Sequence, residues 1–205
     1  DRLPEDRDQP GHVVKARYTP RQATVLAVDE QDSPHHQLLR DADDLDGMPV
    51  IVADLHSAVV PILAGLRSSG RSPRVVYVMT DGGALPLAVS RAVEQLTEAG
   101  WLAASVTVGQ AYGGDVEAVT LHTGLLAARL VLGADLAVVT QGPGNLGTGT
   151  RWGFSGVASG EAVNAIAALR GEPVAALRIS EADARERHQG VSHHSLTALG
   201  RVALA

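Results

Sequence analysis

Residues that could carry out chemistry gather in four polar segments, and each segment directly follows a predicted β-strand. The residues of the first three segments are two acids, one histidine and two glycine pairs: Asp54, His56, Asp81, Gly82, Gly83, Gly113 and Gly114. Carboxylates and imidazoles at such positions can transfer protons or hold a divalent metal ion. Asp54, His56 and Asp81 are therefore candidate catalytic residues, together with His193 and His194 near the end of the chain.

The fourth segment is a glycine-rich stretch at residues 140–156, TQGPGNLGTGTRWGFSG. So many glycines after a buried strand indicate unusual dihedral angles, or a backbone that another group approaches closely. Residues 142–147 match G-x-G-x-x-G, but a dinucleotide fingerprint opens a helix at once, and here the next helical pattern begins near Ser159. The P-loop pattern also fails, because Thr148 stands where its lysine belongs.

A nest that binds a small anion is a looser interpretation of the same stretch. Successive backbone N–H groups, two hydroxyls and one guanidinium could bind an anion there. The candidate ligand-binding residues of the stretch are Gly142, Gly144, Gly147, Thr148, Gly149, Thr150 and Arg151. The alternative is a tight structural turn in which the threonine hydroxyls cap their own backbone.

The eight histidines include two adjacent pairs, of which His193 and His194 are the second. Neighbouring residues on a helix lie about 100° apart, so we expect one of these rings to face the same pocket as His56 while the other packs locally. Ser192 is the predicted N-cap of their helix, and Gly200 is its predicted end.

A metal site is a chemically reasonable use of these histidines. Its candidate ligands are Asp54, His56 and His193, with Asp81 or His194 as substitutes. No His-x-His or His-x-x-x-His spacing supports the site. Two other polar residues, Ser57 and Asp115, are interpreted as helix N-caps and not as catalytic groups.

The scaffold for these residues is predicted to be an α/β fold, a mainly parallel sheet with helices on both faces. From residue 50 onward, β-branched runs alternate with helical patterns. The predicted strands are residues 50–54, 74–80, 103–108, 136–140 and 174–179, and the predicted helices are residues 58–67, 85–99, 116–132 and 159–170. A short N-terminal β-hairpin is predicted from residues 12–18 and 24–29. Ligands bind at the carboxyl ends of such strands, so the four polar segments are expected at one edge.

The composition restricts the classes of function. At 205 residues, a disordered lead at residues 1–10 and a single α/β domain at residues 11–205 are expected. The absence of cysteine excludes disulfides and thiolate metal sites. The net charge of −6 and the aromatic share of 3% argue against a nucleic-acid partner. No apolar run has the length of a membrane span and no signal peptide is recognised, which favours a cytoplasmic protein without a membrane partner.

Several of these motifs together resemble a known family. They are SPHH (33–36), ADLHS (53–57), TDGGALPLA (80–88), YGGDVEAV (112–119), GPGNLGTGTRWGFSG (142–156) and RHQGVSHHSLTALG (187–200). From about Gly11 onward the chain resembles the bacterial domain-of-unknown-function 3866 family. The resemblance implies that this is the C-terminal α/β part of a longer protein with an additional, mainly β N-terminal segment. The family is uncharacterised, so the resemblance implies no reaction.

Two functions of different class follow from these observations. The first is an enzyme acting on a small anionic or phosphorylated metabolite, with the nest holding the anion and the acids and histidines supplying proton transfer or a divalent metal. The alternative is a noncatalytic module that senses a ligand or pairs two copies as a homodimer. Several titratable groups within reach of one point would favour the enzyme. Separated histidines bonded to backbone would favour the module.

Overall fold

The computed structural model describes residues 11–205, so the predicted disordered lead lies outside the described residues. The first element is an antiparallel hairpin of β1 (Val13–Lys15) and β2 (Ala23–Val25), followed by the short helix α1 (His36–Leu39). This hairpin confirms the prediction from the alternating pattern at the start of the chain.

A six-stranded parallel sheet forms the centre of the molecule, which confirms the predicted mainly parallel sheet and adds one strand to the five predicted. Its strands are β3 (Pro49–Val52), β4 (Val75–Thr80), β5 (Ala104–Thr107), β6 (Val116–Glu117), β7 (Leu136–Gln141) and β8 (Glu172–Ala175). They lie in the order β6-β5-β4-β7-β3-β8, and every pairing is parallel. The main helices are α2 (Val59–Ser68), α3 (Arg91–Glu98), α4 (Leu121–Leu130) and α5 (Ala158–Ala168).

Helices cover both faces of this sheet because its central strands are apolar on both sides. Along β4, Tyr77 and Met79 pack with residues of α2 and α3, whereas Val76 and Val78 pack with residues of α4 and α5. The two faces therefore hold separate apolar clusters, the arrangement expected when a parallel sheet is buried on both sides.

The strand order places three of the polar segments side by side. The chain runs outward from β3 through β4, β5 and β6, then returns so that β7 lies between β4 and β3. The side chain of Gln141 donates a hydrogen bond to the carbonyl of Asp54 at 2.9 Å, and Gly142 N donates to the carbonyl of Thr80 at 3.1 Å. The carboxyl ends of β3, β4 and β7 thus meet at one edge. Gly114 instead precedes β6 and donates its N–H to the Thr107 hydroxyl.

Two predicted helices begin later than the sequence pattern indicated. The helix predicted from residue 116 begins at Leu121, because Val116 and Glu117 pair with β5 as strand β6. Asp115 is not an N-cap, since its carboxylate accepts hydrogen bonds from the backbone N–H and hydroxyl of Ser105. The helix predicted from residue 85 begins at Arg91, where Ser90 is the N-cap.

The caps predicted at Ser57 and Gly200 are also wrong. Ser57 lies inside the 3-10 turn His56–Ala58, and α2 has no side-chain cap. Gly200 does not end a helix, because the π-helical turn Ala198–Val202 continues through it. The last predicted strand is shifted: β8 ends at Ala175.

The end of the chain forms a small unit that packs beside the sheet. Strands β9 (Ile179–Ser180) and β10 (Gly190–Val191) make an antiparallel hairpin, with the 3-10 turn Glu186–His188 between them. Helix α6 (His193–Thr197) follows directly, and Ser192 caps it by accepting a hydrogen bond from His194 N, as predicted. This unit contributes the residues of the candidate site that the sheet does not supply.

Candidate functional site

A cleft of about 340 Å³ lies between the tip of the glycine-rich stretch and helix α6. We call it the arginine cleft, because three arginines from three segments line it: Arg151, Arg187 and Arg201. The other lining residues are Gly149, His193, Leu196 and Thr197. None of the described residues that line this cleft is acidic, so the cleft suits an anion.

Hydrogen bonds within the glycine-rich stretch shape its tip. Gly147 and Phe154 face each other across an antiparallel bridge, and Thr148 N donates to the Gly153 carbonyl at 2.7 Å. The hydroxyls of Thr148 and Thr150 lie 3.1 Å apart, and the Thr150 hydroxyl accepts a hydrogen bond from Gly153 N. These threonines therefore cap their own turn, as the alternative interpretation of the sequence held.

Only part of the anion nest predicted at this tip lines the arginine cleft. Gly149 has a φ of 80°, in the left-handed region that favours glycine, and it lines the arginine cleft with Arg151. Thr148 and Thr150 are absent from the residues that line the cleft.

Asn145 holds the two ends of the glycine-rich stretch together. Its side-chain oxygen accepts hydrogen bonds from the Gln141 amide at 3.0 Å, the Ser155 hydroxyl at 2.9 Å and Gly156 N at 3.2 Å. Three donors on one oxygen fix the path of the chain where it leaves β7 and where it enters α5. Sequence analysis did not single out this residue.

Close packing between neighbouring loops accounts for several glycines of the predicted ligand site. A Cβ on Gly142 would overlap the Ala84 carbonyl, and a Cβ on Gly83 would overlap the Gly142 carbonyl. Gly82 is similarly close to the Gln141 side chain, and Gly113 donates its N–H to the Glu117 carboxylate at 2.6 Å. These glycines do not line the arginine cleft, so a ligand-binding role for them remains a prediction.

A histidine cluster, defined as His188, His193 and His194, lies beside the cleft. One ring nitrogen from each residue lies within 4.8 Å of the other two. The rings of His193 and His194 are 4.4 Å apart, and His188 is 5.1 Å and 4.9 Å from them. The expectation that one ring of the adjacent pair would point away is therefore wrong. The side chains converge because the β9–β10 hairpin places His188 beside both of them.

Three buried polar atoms at this cluster have no hydrogen-bond partner among residues 11–205. They are Nε2 of His193, Nδ1 of His194 and Oδ2 of Asp54. The last two atoms are 3.5 Å apart. Asp54, at the end of β3, therefore brings the central sheet into contact with the histidines from the end of the chain.

Burial keeps these histidines neutral. It lowers the pKa of His188 and of His193, and it lowers the pKa of His194 to about 4, with a further contribution from the neighbouring histidines. Burial also raises the pKa of the Asp54 carboxyl, and the nearby Arg178 guanidinium partly offsets that rise. Neutral imidazoles retain a lone pair that can accept a proton or bind a metal.

His56 does not belong to the histidine cluster. Its Nδ1 bonds to the Tyr77 hydroxyl at 2.9 Å and its Nε2 bonds to the Ser90 hydroxyl at 2.7 Å. Burial raises the pKa of the Tyr77 phenol, which stays protonated and can donate. Both ring nitrogens of His56 are thus engaged, and His56 does not line the cleft that His193 lines, so the predicted shared pocket is wrong. A catalytic or metal-binding role for His56 remains a prediction.

Asp81 is also separate from the cluster. It is exposed, and its carboxylate accepts a hydrogen bond from Gln110 N at 2.9 Å. This contact positions the loop after β5 and accounts for the acid at the end of β4. A catalytic role for Asp81 remains a prediction.

Three site residues were missed by sequence reasoning: His188, Arg187 and Arg201. The segment RHQGVSHH contains the signal for His188, since a glycine turn separates one histidine from an adjacent pair. Two backbone hydrogen bonds hold this segment in place: Ser192 N donates to the Arg178 carbonyl, and Arg178 N donates to the Ser195 hydroxyl.

A family model, DUF3866, described as a protein of unknown function, matches residues 1–205. The chain belongs to this family. No curated protein and no solved structure matches the chain. Within residues 11–205, every helix is too short or too polar to span a membrane. Membership in the DUF3866 family implies no reaction, so the function is argued from the geometry of the site.

Proposed function

We propose that this protein is an enzyme acting on a small anionic, phosphorylated metabolite, which binds in the arginine cleft beside the histidine cluster. One observation carries the proposal: His193 lines the cleft and also belongs to the cluster. A ligand held by the arginines would therefore lie next to groups that can transfer a proton.

The arginines are suited to phosphate recognition. Guanidinium groups bind phosphate oxygens through paired, charge-assisted hydrogen bonds, which are stronger than bonds between neutral groups. All three are exposed at the cleft and come from the glycine-rich stretch, the β9–β10 connection and the π-helical turn. Their convergence gives the cleft a positive charge although the whole chain is acidic.

The reactive groups lie on one side of this cleft. His193 is the half-buried member of the cluster, and its unpaired Nε2 is available either as a proton acceptor or as a ligand to a metal ion that takes part in the reaction. Asp54 contacts His194 behind it. Several titratable groups therefore lie within reach of one point, which favours an enzyme over the alternative of a noncatalytic sensing module.

Phosphate binding tests the recognition half of the proposal. Inorganic phosphate should raise the melting temperature of the wild-type protein in a saturable way. Arg201→Ala should weaken phosphate binding, measured by calorimetry, about tenfold or more, since bonds to charged groups contribute about 1.5–3 kcal/mol. Arg71→Ala, at an exposed arginine outside the cleft, is the matched control. Equal binding by all three proteins would overturn the proposed cleft.

Turnover tests the catalytic half. The wild-type protein should release phosphate from at least one member of a panel of sugar phosphates, nucleotides and p-nitrophenyl phosphate. His193→Ala should lower kcat about 100-fold or more while phosphate still raises the melting temperature. Phosphate binding without turnover of any compound would favour the ligand-sensing module.

The remaining expectations from the sequence are retained as proposals. We expect a cytoplasmic protein that binds neither nucleic acid nor a membrane surface. Pairing of two copies as a homodimer is tested by sedimentation velocity, in which a single species with the mass of one chain would exclude it.

A further inference from the structure

We propose that His188, His193 and His194 form a binding site for a divalent metal ion of the zinc type, with the Asp54 carboxylate beside His194. This inference stands on the histidine cluster itself and does not depend on what binds in the arginine cleft. Compared with the candidate ligands predicted from the sequence, it adds His188 and leaves out His56.

The distances suit a tetrahedral site. Zinc binds imidazole nitrogens and carboxylate oxygens at about 2.0–2.1 Å, so two ligand atoms around a tetrahedral zinc lie about 3.3 Å apart. The pair formed by His194 Nδ1 and Asp54 Oδ2 is 3.5 Å apart. The three histidine nitrogens lie within 4.8 Å of one another, so shifts of about 1 Å in the rings would complete the geometry.

Unpaired buried atoms give an independent reason. A buried polar atom without a partner costs free energy, and such atoms are rare in folded proteins. Here His193 Nε2, His194 Nδ1 and Asp54 Oδ2 are buried and unpaired within the described part of the chain. His194 and Asp54 are each only 6% exposed. A cation bound by the histidine cluster would give the unpaired imidazole nitrogens a partner, and Asp54 Oδ2 lies 3.5 Å from the one on His194.

Neighbouring side chains fix the orientation of the rings in the histidine cluster, as they do for the ligands of metal sites. His188 bonds through Nδ1 to the Ser192 hydroxyl at 2.7 Å, which leaves Nε2 free to act as a ligand. Phe154 stacks on His194, with ring centroids 3.9 Å apart and planes within 4°. Bonds and packing of this kind fix the orientation of the ligating rings.

The donor set favours a particular class of metal. Imidazole ligands suit zinc, copper, iron and nickel, whereas magnesium and calcium prefer sites made of oxygen. Arg178 is the cation near Asp54, and its guanidinium is paired with Asp183 at 3.1 Å. That pairing reduces the repulsion between Arg178 and a bound metal ion.

Equilibrium dialysis with zinc tests the proposal. After treatment with a chelator, the wild-type chain should bind about one zinc ion, and excess magnesium should not displace it. His193→Ala, at the half-buried member of the cluster, should weaken zinc binding about 100-fold or more. His122→Ala, at an exposed histidine on α4, should bind zinc as the wild type does. A wild type that binds no zinc, or equal losses in the two variants, would overturn the site.

Cobalt provides a readout that does not depend on folding of the variants. The wild-type protein loaded with cobalt should show the intense visible absorption of a tetrahedral centre, and Asp54→Asn should weaken or shift it. Circular dichroism melts identify any variant that has unfolded. Absence of the tetrahedral spectrum from the wild type would overturn the proposal even if every variant unfolds.

Phosphate binding, measured with and without zinc, separates this inference from the proposed function. Loss of zinc binding with phosphate binding intact would remove the metal site and leave the arginine cleft. Zinc binding without phosphate binding or turnover would remove the proposed enzyme and leave the metal site.

Discussion

Lys15 is the only lysine in the sequence, and its side chain is completely buried. Its ammonium group donates to the carbonyls of Ala118 at 2.7 Å and Ala111 at 3.0 Å, and it lies 3.5 Å from the Glu117 carboxylate. These contacts join the N-terminal hairpin to the end of β6 and to the connection that precedes it. Burial lowers the pKa of Lys15, and burial raises the pKa of Glu117, while each charge stabilises the other.

Replacing Lys15 by Met should make stability depend on pH through Glu117. When folding raises the pKa of a carboxyl, the protonated carboxyl stabilises the folded protein. That stabilisation is lost as the pH rises above 4.5, the ordinary pKa of a glutamate. We expect Lys15→Met to lose about 3 kcal/mol of unfolding free energy near pH 8, and less near pH 5. Urea denaturation across this range measures the loss.

The double variant Lys15→Met/Glu117→Gln is the control for this prediction, and its stability should fall less between pH 5 and pH 8 than that of Lys15→Met, because it has no carboxyl to titrate at this position. A loss in Lys15→Met that is equal at all pH values would show that packing, and not the charge of Glu117, explains the effect.

Some residues of the candidate site could be predicted from the sequence. Asp54, His193, His194 and Arg151 were recognised because acids, histidines and a guanidinium follow strands or begin a helix. His188 and Arg201 were not, since only the fold brings a hairpin turn and a π-helical turn beside helix α6. For His56, a position after a strand does not reveal that its ring nitrogens bond to the hydroxyls of Tyr77 and Ser90.

Strands and helices were predicted best where the periodicity of apolar side chains determines which of the two forms. The alternation of apolar strands and helices gave the parallel sheet and most of its helices. The error at residues 116–120 has a tertiary cause, because Asp115 bonds to Ser105 and draws the chain into β6. No local pattern contains that contact, so the helix was predicted one turn too early.

The contact between the loops after β4 and β7 can be tested with a single methyl group. Gly142→Ala would press a Cβ against the Ala84 carbonyl, and we expect a loss of about 2–3 kcal/mol. Gly65→Ala is the matched control, because a Cβ there meets no atom within 4 Å in the described part of the chain. At that exposed position in α2 the methyl group should stabilise the protein by about 0.5–1 kcal/mol. Equal effects of both substitutions in thermal melts would contradict the close approach.

The charge of the whole molecule opposes the charge of its cleft. The chain carries a net charge of −6, whereas three arginines line one surface. At long range the molecule repels an anion, but contact with the arginines occurs well inside the Debye length of about 8 Å at physiological salt. Short-range attraction therefore decides the affinity.

Added salt should accordingly weaken phosphate binding. We expect the affinity measured by calorimetry to fall several-fold when potassium chloride is raised from about 50 mM to about 500 mM, since salt screens the arginines. Potassium chloride at a fixed phosphate concentration is used so that only ionic strength changes. An affinity that rises with salt would mean that repulsion by the acidic surface dominates.

Phe154 belongs to the glycine-rich stretch, yet its ring lies flat against His194. The glycine-rich stretch therefore lines the cleft through Gly149 and Arg151 and also packs against the histidine cluster through Phe154. Thermodynamic reciprocity then applies: if a ligand in the cleft changes the affinity of the cluster for a metal by some factor, the metal changes the affinity for the ligand by the same factor. Occupancy of one site would therefore change the affinity of the other, through His193, which belongs to both, and through the contact of Phe154 with His194.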